Sequence, residues 1–155
     1  PLQIDTSNYE AMERELRLYN GKPMLNSVNG KEDSLQHVLP LAKKYGAVLV
    51  ALCLDDSGIP ATAAGRIAVA EKIIARAAEY GIESRNIVVD PLALTISTGA
   101  ENAAIACEVI RTMKARGINT VMGVSNISFG LPGRDAVNST FFSMATASSI
   151  RRASR

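Results

Sequence analysis

Short apolar runs that end on Asp or Asn, followed by loop residues and a helix-like segment, recur five times in this chain. The polar residues at the ends of these runs are Asp5, Asn26, Asp55, Asp90 and Asn126. Strands that alternate with helices form a parallel sheet with right-handed crossovers. Because the carboxyl ends of such strands meet on one side of the sheet, the repeat predicts an α/β fold with these side chains around one pocket.

The segments between the strands have helical periodicity. Apolar residues recur at helical spacing clearly in two segments and more weakly in two others; the sets are Leu35, Val38, Leu39 and Ala42; Ala106, Val109, Ile110 and Met113; Met12, Leu16 and Tyr19; and Ile67, Ala70, Ile74 and Ala77. Capping boxes are predicted for Ser7 with Glu10 and for Thr98 with Glu101. Glycines that favour a left-handed C-terminal cap follow four of the helices, at Gly21, Gly46, Gly81 and Gly117.

The chain has 155 residues, which suits a single domain. No G-x-G-x-x-G motif follows the first strand, which disfavours a dinucleotide fold and leaves an open sheet or an arc of a (β/α)8 barrel. A complete barrel needs about 250 residues. We therefore predict a partial (β/α)8 TIM barrel of about five parallel strand–helix units over residues 1–145, with a basic, disordered tail at 146–155.

Charge and cysteine usage narrow the class of partner. The net charge is +2 and the basic residues are scattered, so neither a nucleic acid nor a membrane surface is indicated. Cys53 and Cys107 lie in apolar patterns without a CxxC motif, which predicts reduced, buried thiols and a cytoplasmic location. His37 is the single histidine and is expected to be structural or solvent-facing. We expect no protein-held metal.

A pocket of carboxylates and amides suits one kind of ligand. A carboxylate accepts two parallel hydrogen bonds from an aminopyrimidine edge, and an Asn amide donates and accepts at once. A phosphate would instead require N–H donors or cations. The five strand-end residues therefore favour a nitrogen-rich heterocycle such as a pterin.

The most specific stretch is Gly123-Val124-Ser125-Asn126-Ile127-Ser128-Phe129-Gly130-Leu131-Pro132-Gly133-Arg134. It resembles a segment of the pterin-binding domain shared by cobalamin-dependent methionine synthase and the methyltetrahydrofolate:corrinoid methyltransferases. The resemblance extends over roughly residues 1–145, and its other motifs are Pro1-Leu2-Gln3-Ile4-Asp5-Thr6-Ser7, Leu25-Asn26-Ser27-Val28-Asn29, Asp55-Asp56-Ser57-Gly58-Ile59-Pro60 and Val89-Asp90-Pro91-Leu92.

This resemblance implies a barrel that binds methyltetrahydrofolate and gives its N5-methyl group to the Co(I) of a corrinoid (cobalamin) on another protein or domain. By motif, Asp5, Asn26 and Asp90 would hold the pterin, Asn126 would face N5 as the catalytic residue, and Arg134 would line the folate site. Asp55 or Asp56 could reach the pocket through water. Ser27 and Ser125, next to the two asparagines, are secondary candidates.

Simpler roles exist for the same residues. Asp5 and Asp90 are suited to helix N-caps, Asp55 and Asp56 to a loop, Asn126 to a turn and Arg134 to the solvated surface. Their joint placement with the Ser125–Arg134 stretch favours the pterin site.

Other functions are also compatible with the sequence. Dihydropteroate synthase has a similar barrel, but it usually carries a lysine and a Ser-Arg pair near the later strand ends, where this chain has Ser125-Asn126. The resemblance starts at about the family's third strand and departs from it over Ser143 to Arg155. A truncated, non-catalytic fragment that self-associates through exposed sheet edges is therefore the second hypothesis.

Overall fold

The computed structural model describes residues 2–150. Five strands alternate with helices along the chain. The strands are β1 (Gln3–Asp5), β2 (Met24–Asn29), β3 (Val48–Leu52), β4 (Ile87–Asp90) and β5 (Asn119–Thr120). The helices are α1 (Tyr9–Leu18), α2 (Glu32–Tyr45), α3 (Ala63–Glu79), α4 (Asn102–Ala115) and α5 (Arg134–Ser149), with 3₁₀ turns at Ser84–Asn86 and Val124–Ser128.

The strands form one parallel sheet in the order β1-β2-β3-β4-β5. A doubly wound sheet reverses its strand order at a switch point, whereas a (β/α)8 barrel adds each strand beside the previous one. The observed order is therefore that of an arc of such a barrel. The predicted α/β fold of five parallel strand–helix units is confirmed.

The two faces of the sheet differ in burial. One row of paired residues, Ile4, Leu25, Leu49 and Ile87, lies across four strands and is fully buried in the main core. Right-handed crossovers in consecutive order place the helices on one face, and this row lies under them. The opposite face carries the neighbouring row, Asp5, Asn26, Val50 and Val88, in which Asp5 is exposed and Asn26 and Val88 are half-buried. We call this opposite face the open face.

Helix faces follow the apolar periodicity fully in two cases and in part in α1, where Met12 and Leu16 are buried and Tyr19 is the C-cap. The predicted sets on α2 and α4 are all buried. The stripe on α3 is rotated from the predicted one, and Ile67 and Ile74 lie at its margin; the buried positions are Ala63, Arg66, Val69, Ala70, Ile73 and Ala77. One of the core positions on this helix is taken by an arginine, Arg66.

Both predicted capping boxes are wrong. Asn8, one residue after Ser7, caps α1 by accepting from the Ala11 N–H. At α4 the N-cap is Glu101, without a side-chain hydrogen bond. Thr98 instead donates to the Thr95 carbonyl, at 3.0 Å. Several consecutive polar residues precede each of these two helices, and the geometry of the loop decides which of them becomes the N-cap.

The predicted glycine caps agree in part. Gly46 caps α2 in the left-handed conformation, at φ 65°. Gly81 and Gly117 also have positive φ after α3 and α4. At α1, by contrast, Tyr19 is the C-cap and Gly21 comes later. The second and fifth strand ends also differ from the predicted ones. Strand β2 continues past Asn26 to Asn29, and β5 ends at Thr120, six residues before Asn126.

Part of the segment predicted as a disordered tail is helical. Helix α5 runs to Ser149, four residues into the segment predicted as disordered, while residues 151–155 lie outside the described part.

Both cysteines are free and buried, as predicted. Within residues 2–150 none of the helices combines the length and apolar character needed to cross a membrane.

Candidate functional site

Asp5 and Asn26 form the first part of the site. They are register partners at the end of β1 and within β2, and both lie on the open face. The Asn26 Nδ2 atom donates to Asp5 Oδ2 at 3.2 Å. The bond orients the amide and leaves the other carboxylate oxygen, Oδ1, for a further donor.

A cleft of about 170 Å³ opens beside this pair. Its lining is polar and comes from the ends of β1 and β2 and from the starts of α1 and α2: Asp5, Thr6, Ser7, Tyr9, Asn26, Ser27, Asn29 and Ser34. Ser27, predicted as a secondary candidate, is therefore part of the cleft. The Ser34 hydroxyl accepts from the Asn29 N–H at 3.1 Å, which ties α2 to the end of β2.

Tyr9 is a cleft residue that the sequence analysis missed. Its ring stacks on the His37 imidazole with 4.5 Å between centroids, and its hydroxyl donates to Asp33 Oδ2 at 2.8 Å. Burial and the Asp33 contact raise the pKa of the Tyr9 phenol, so it stays protonated and able to donate at neutral pH. His37, predicted to be structural or solvent-facing, is half exposed and supports Tyr9.

Asp90 lies on β4, two residues beyond Val88 and so on the same open face. Its Oδ1 accepts from the Leu92 N–H at 2.8 Å. Burial raises the pKa of the Asp90 carboxyl, against the lowering effect of this hydrogen bond. The nearby thiol of Cys53 is buried too, and desolvation together with the Asp90 charge raises the pKa of Cys53 to about 12.

Asn126 lies in the 3₁₀ turn after β5 and is exposed. Its side chain lies over Gly123, where an added Cβ would be 2.9 Å from Asn126 Nδ2. Arg134 closes this loop from the start of α5. The guanidinium donates through Nη2 to the Ser125 carbonyl at 2.9 Å and through Nε to Ser128 Oγ at 3.0 Å.

The Asn126 loop is bonded to the loop that follows Asp90. The Ile96 N–H donates to the Ile127 carbonyl at 3.0 Å, and Thr95 Oγ1 donates to the Phe129 carbonyl at 2.7 Å. Asn102, at the start of α4, fixes Thr95 by donating to its carbonyl at 2.8 Å. The loops after β4 and β5 therefore form one connected wall beside the open face.

Asp55 lies in the loop after β3. Its carboxylate accepts from the Ser57 N–H at 2.9 Å, and its backbone pairs with Gly58 in both directions. Asp56, beside it, is exposed. The Asp55 carboxylate thus has a local partner in its own turn, which is the structural role considered for it above.

Arg66 was not among the predicted site residues, although the sequence places it on the apolar stripe of a helix. It occupies a position of the apolar stripe on α3, and its side chain is completely buried. A charged residue in a core position requires acceptors close by, since a buried charge without partners is costly. Here the acceptors are backbone carbonyls of the loops after β3 and β4.

Consecutive parallel strands, helices on one face and polar side chains at the carboxyl ends define an α/β protein of the (β/α)8 type, a class that builds its sites at that edge. The sequence matches the pterin binding enzyme family over residues 1–153, and the chain belongs to that family. The match continues past residue 145, where the resemblance was predicted to end.

Three relatives are similar to this chain over most of its length. The methionine synthases of Mycobacterium tuberculosis and Mycobacterium leprae are each 32% identical over 155 residues, covering 91% of this chain and 13% of the relative. The methylcorrinoid:tetrahydrofolate methyltransferase of Eubacterium limosum is 29% identical over 150 residues, covering 94% of this chain and 55% of the relative. The chain thus spans little more than half of one relative and a small part of the others.

Proposed function

We propose that this chain is the pterin-binding part of an enzyme that transfers the N5-methyl group of methyltetrahydrofolate to a corrinoid on a partner protein or domain. The observation that supports this most directly is the placement of Asp5, Asn26 and Asp90 on the open face near the carboxyl ends of their strands. The names of the methionine synthase and methyltransferase relatives point to the same chemistry. A cytoplasmic location belongs to this proposal.

The spacing of these residues suits a flat bicyclic ring. Two strand spacings, about 10 Å across the sheet, and an offset of two residues along β4 separate Asn26 from Asp90. The row between them is apolar at Val50 and Val88, and this provides a surface for the ring face. A carboxylate at the edge accepts two parallel hydrogen bonds from an aminopyrimidine, and the Asn26 amide can satisfy a neighbouring donor or acceptor.

Asn126 is proposed to face N5 of the substrate. A tertiary amine is a poor leaving group until its nitrogen is protonated or hydrogen-bonded, and the Asn126 amide can donate to one ring state and accept from the other. It has no proton to transfer, so the proton comes from solvent or a relay. The corrinoid, when its protein partner is present, supplies a strong Co(I) nucleophile, so this chain needs only to orient the substrate and stabilise charge at N5.

Arg134 enters this proposal as a support of the Asn126 loop as well as a wall of the folate site. Its bonds to Ser125 and Ser128 brace the 3₁₀ turn that carries Asn126. Ser125 contributes its backbone carbonyl to that contact. Both proposed roles require the same position of the guanidinium.

Calorimetric titration tests the function. Methyltetrahydrofolate should bind the chain, Asn126→Ala should bind it less tightly, and 6-hydroxymethylpterin pyrophosphate should bind more weakly than methyltetrahydrofolate. Asn20→Ala is the matched control, because Asn20 is exposed in the loop after α1, at the opposite end of the sheet. Preference for the pyrophosphate would indicate dihydropteroate synthase chemistry instead, and a parent chain that binds neither ligand would refute the proposed function.

The edges of the sheet favour self-association as a second property. Within the described residues β1 pairs only with β2, and β5 pairs only with β4. Leu2 and Val121 place exposed apolar side chains beside these edges. We propose that a second copy of the chain covers them. Sedimentation velocity should show a dimer or larger species, and a monomer at high concentration would contradict this.

A further inference from the structure

Arg66 is a fully buried charged side chain near the carboxyl edge of the sheet. It lies in the first turns of α3, is 0% exposed, and is the single buried residue of the described chain that is charged at neutral pH. Burial lowers the pKa of its guanidinium, but an arginine remains charged at neutral pH. A buried cation needs partners for its donors; Nε and Nη1 of Arg66 have them, while Nη2 is buried without a hydrogen-bond partner among the described residues.

The partners of Arg66 are backbone carbonyls from two loops. Nε donates to Pro60 in the loop after β3, at 2.9 Å. Nη1 donates to Pro91 at 3.0 Å and to Leu92 at 2.7 Å, both in the loop after β4. One rigid guanidinium therefore connects two loops of the ligand edge, as its planar fork of donors allows.

The loop segment that Arg66 holds is strained. Leu92 has φ 58°, and no other non-glycine residue of the described chain has positive φ. A left-handed leucine is unfavourable by itself and persists only where surrounding contacts enforce it. In this conformation the Leu92 carbonyl accepts from Arg66 while the Leu92 N–H donates to Asp90 Oδ1 at 2.8 Å.

We propose that Arg66 is a positioning residue for the Asp90 carboxylate. Arg66 holds the Pro91 and Leu92 carbonyls, the left-handed Leu92 therefore keeps its N–H on Oδ1, and the carboxylate is fixed with Oδ2 left for a ligand donor. The effect on pterin affinity rests on the proposed function above. The effect on the geometry of Asp90 does not, because it concerns the chain without ligand.

The ligand-free part is tested by NMR on Arg66→Met and Arg66→Lys. In the parent, the Leu92 amide proton should lie downfield, and its shift should follow the ionisation of Asp90; Asp90→Asn identifies that contribution. In Arg66→Met the downfield position and the pH dependence should be lost, and Arg66→Lys should retain them in part. Val69→Ala is the matched control, since it opens the same buried helix face one turn along and its apolar side chain makes no hydrogen bond to either loop.

An unchanged Leu92 amide in Arg66→Met, or an equal change in Val69→Ala, would overturn the proposal. If Arg66→Met does not fold, Arg66→Lys decides by the same criterion, and parent-like behaviour of the Leu92 amide in that variant would overturn it. This measurement needs no ligand, so its result stands whether or not the chain binds a pterin.

Affinity for methyltetrahydrofolate gives the second readout. Arg66→Met should raise Kd by about tenfold in the parent, the loss of one well-placed charged hydrogen bond. In the Asp90→Asn background the same substitution should change Kd less than about twofold, because the residue through which it acts is already altered. Equal factors in the two backgrounds would show that Arg66 acts as a general support of the fold, which overturns the positioning role.

Discussion

Replacing Gly123 with alanine should weaken ligand binding while leaving the fold as stable or more stable. Gly123 has φ −77° and ψ 88°, a backbone conformation open to any L-residue. Its added methyl carbon would lie 2.9 Å from Asn126 Nδ2, whereas ordinary contact begins at 3.4 Å. The substitution therefore acts on the Asn126 amide and leaves the backbone unstrained.

Gly123→Ala should change stability and ligand binding in opposite directions. To restore ordinary contact the amide has to move by about 0.5 Å, the tolerance within which a binding group works. Loss of one neutral hydrogen bond costs about 0.5–1.5 kcal/mol, which is roughly a two- to twelvefold increase in Kd. The free energy of unfolding should meanwhile rise by about 0.4–1 kcal/mol, because alanine restricts the unfolded chain more than glycine does.

Gly46→Ala is the control with the opposite expectation. Gly46 is the left-handed C-cap of α2 at φ 65°, and a Cβ there would have no neighbour within 4 Å. Alanine in that conformation should lower the free energy of unfolding by about 1 kcal/mol without changing Kd, since the residue lies at the amino end of β3. Urea unfolding and calorimetric titration with methyltetrahydrofolate measure both quantities on both variants.

Two results would refute the reasoning. If Gly123→Ala binds methyltetrahydrofolate as tightly as the parent, the position of the Asn126 amide over Gly123 is not the one used in binding. If Gly46→Ala weakens binding as much as Gly123→Ala does, the loss reflects general destabilisation and not the displaced amide.

Three further predictions concern ionisable groups. Asp90→Asn should raise the free energy of unfolding at neutral pH, because burial raises the folded pKa of Asp90 and ionisation therefore costs stability as pH rises from the unfolded pKa through the folded one. The same variant should bind methyltetrahydrofolate more weakly, and a variant less stable than the parent at pH 7 in urea unfolding would contradict the first part. Hydrogen bonds from Lys44 and then Arg17 lower the pKa of Glu13 to about 2. The stabilising effect of the Glu13 carboxylate is therefore present above its unfolded pKa and is lost as pH falls from there towards 2. Urea unfolding of Glu13→Gln should show a flatter pH dependence over that window. With a pKa of about 12, Cys53 should resist iodoacetamide at pH 8 in the folded protein and react once it is unfolded, and rapid labelling of the folded chain at this position would show that the thiol is not buried.

Apolar periodicity predicted the helices well where all the neighbours of a face are themselves apolar. The stripes of α2 and α4 are buried as expected, because α2 packs on the main core and α4 packs on the main core and on a second apolar cluster beside it. The stripe of α3 was predicted less well. Arg66 takes a core position there, and the carbonyls that make this possible come from residues 60, 91 and 92. A local pattern contains no information about such distant acceptors.

The sequence also could not predict which of two similar neighbouring residues takes a given structural role. Ser7 and Asn8 are both good N-caps, and only the path of the chain after β1 selects Asn8. The extent of β5 is another case, since its two residues are set by pairing with β4 and not by the longer apolar run. Strand length in a sheet depends on the partner strand as well as on propensity.

The sequence by itself determined the alternation of strands and helices, the polar residues at the strand ends and the motifs of the pterin-binding family, because periodicity, turn residues and motifs are local properties of the chain. The tertiary structure decided which of those residues act together. It paired Asn26 with Asp5, turned the Asp55 carboxylate to its own loop, and linked Arg66 through Leu92 to Asp90. These contacts depend on the register of the strands and on how the loops meet, and the physical reason is that a polar group bonds to whatever partner the whole fold brings within hydrogen-bonding distance.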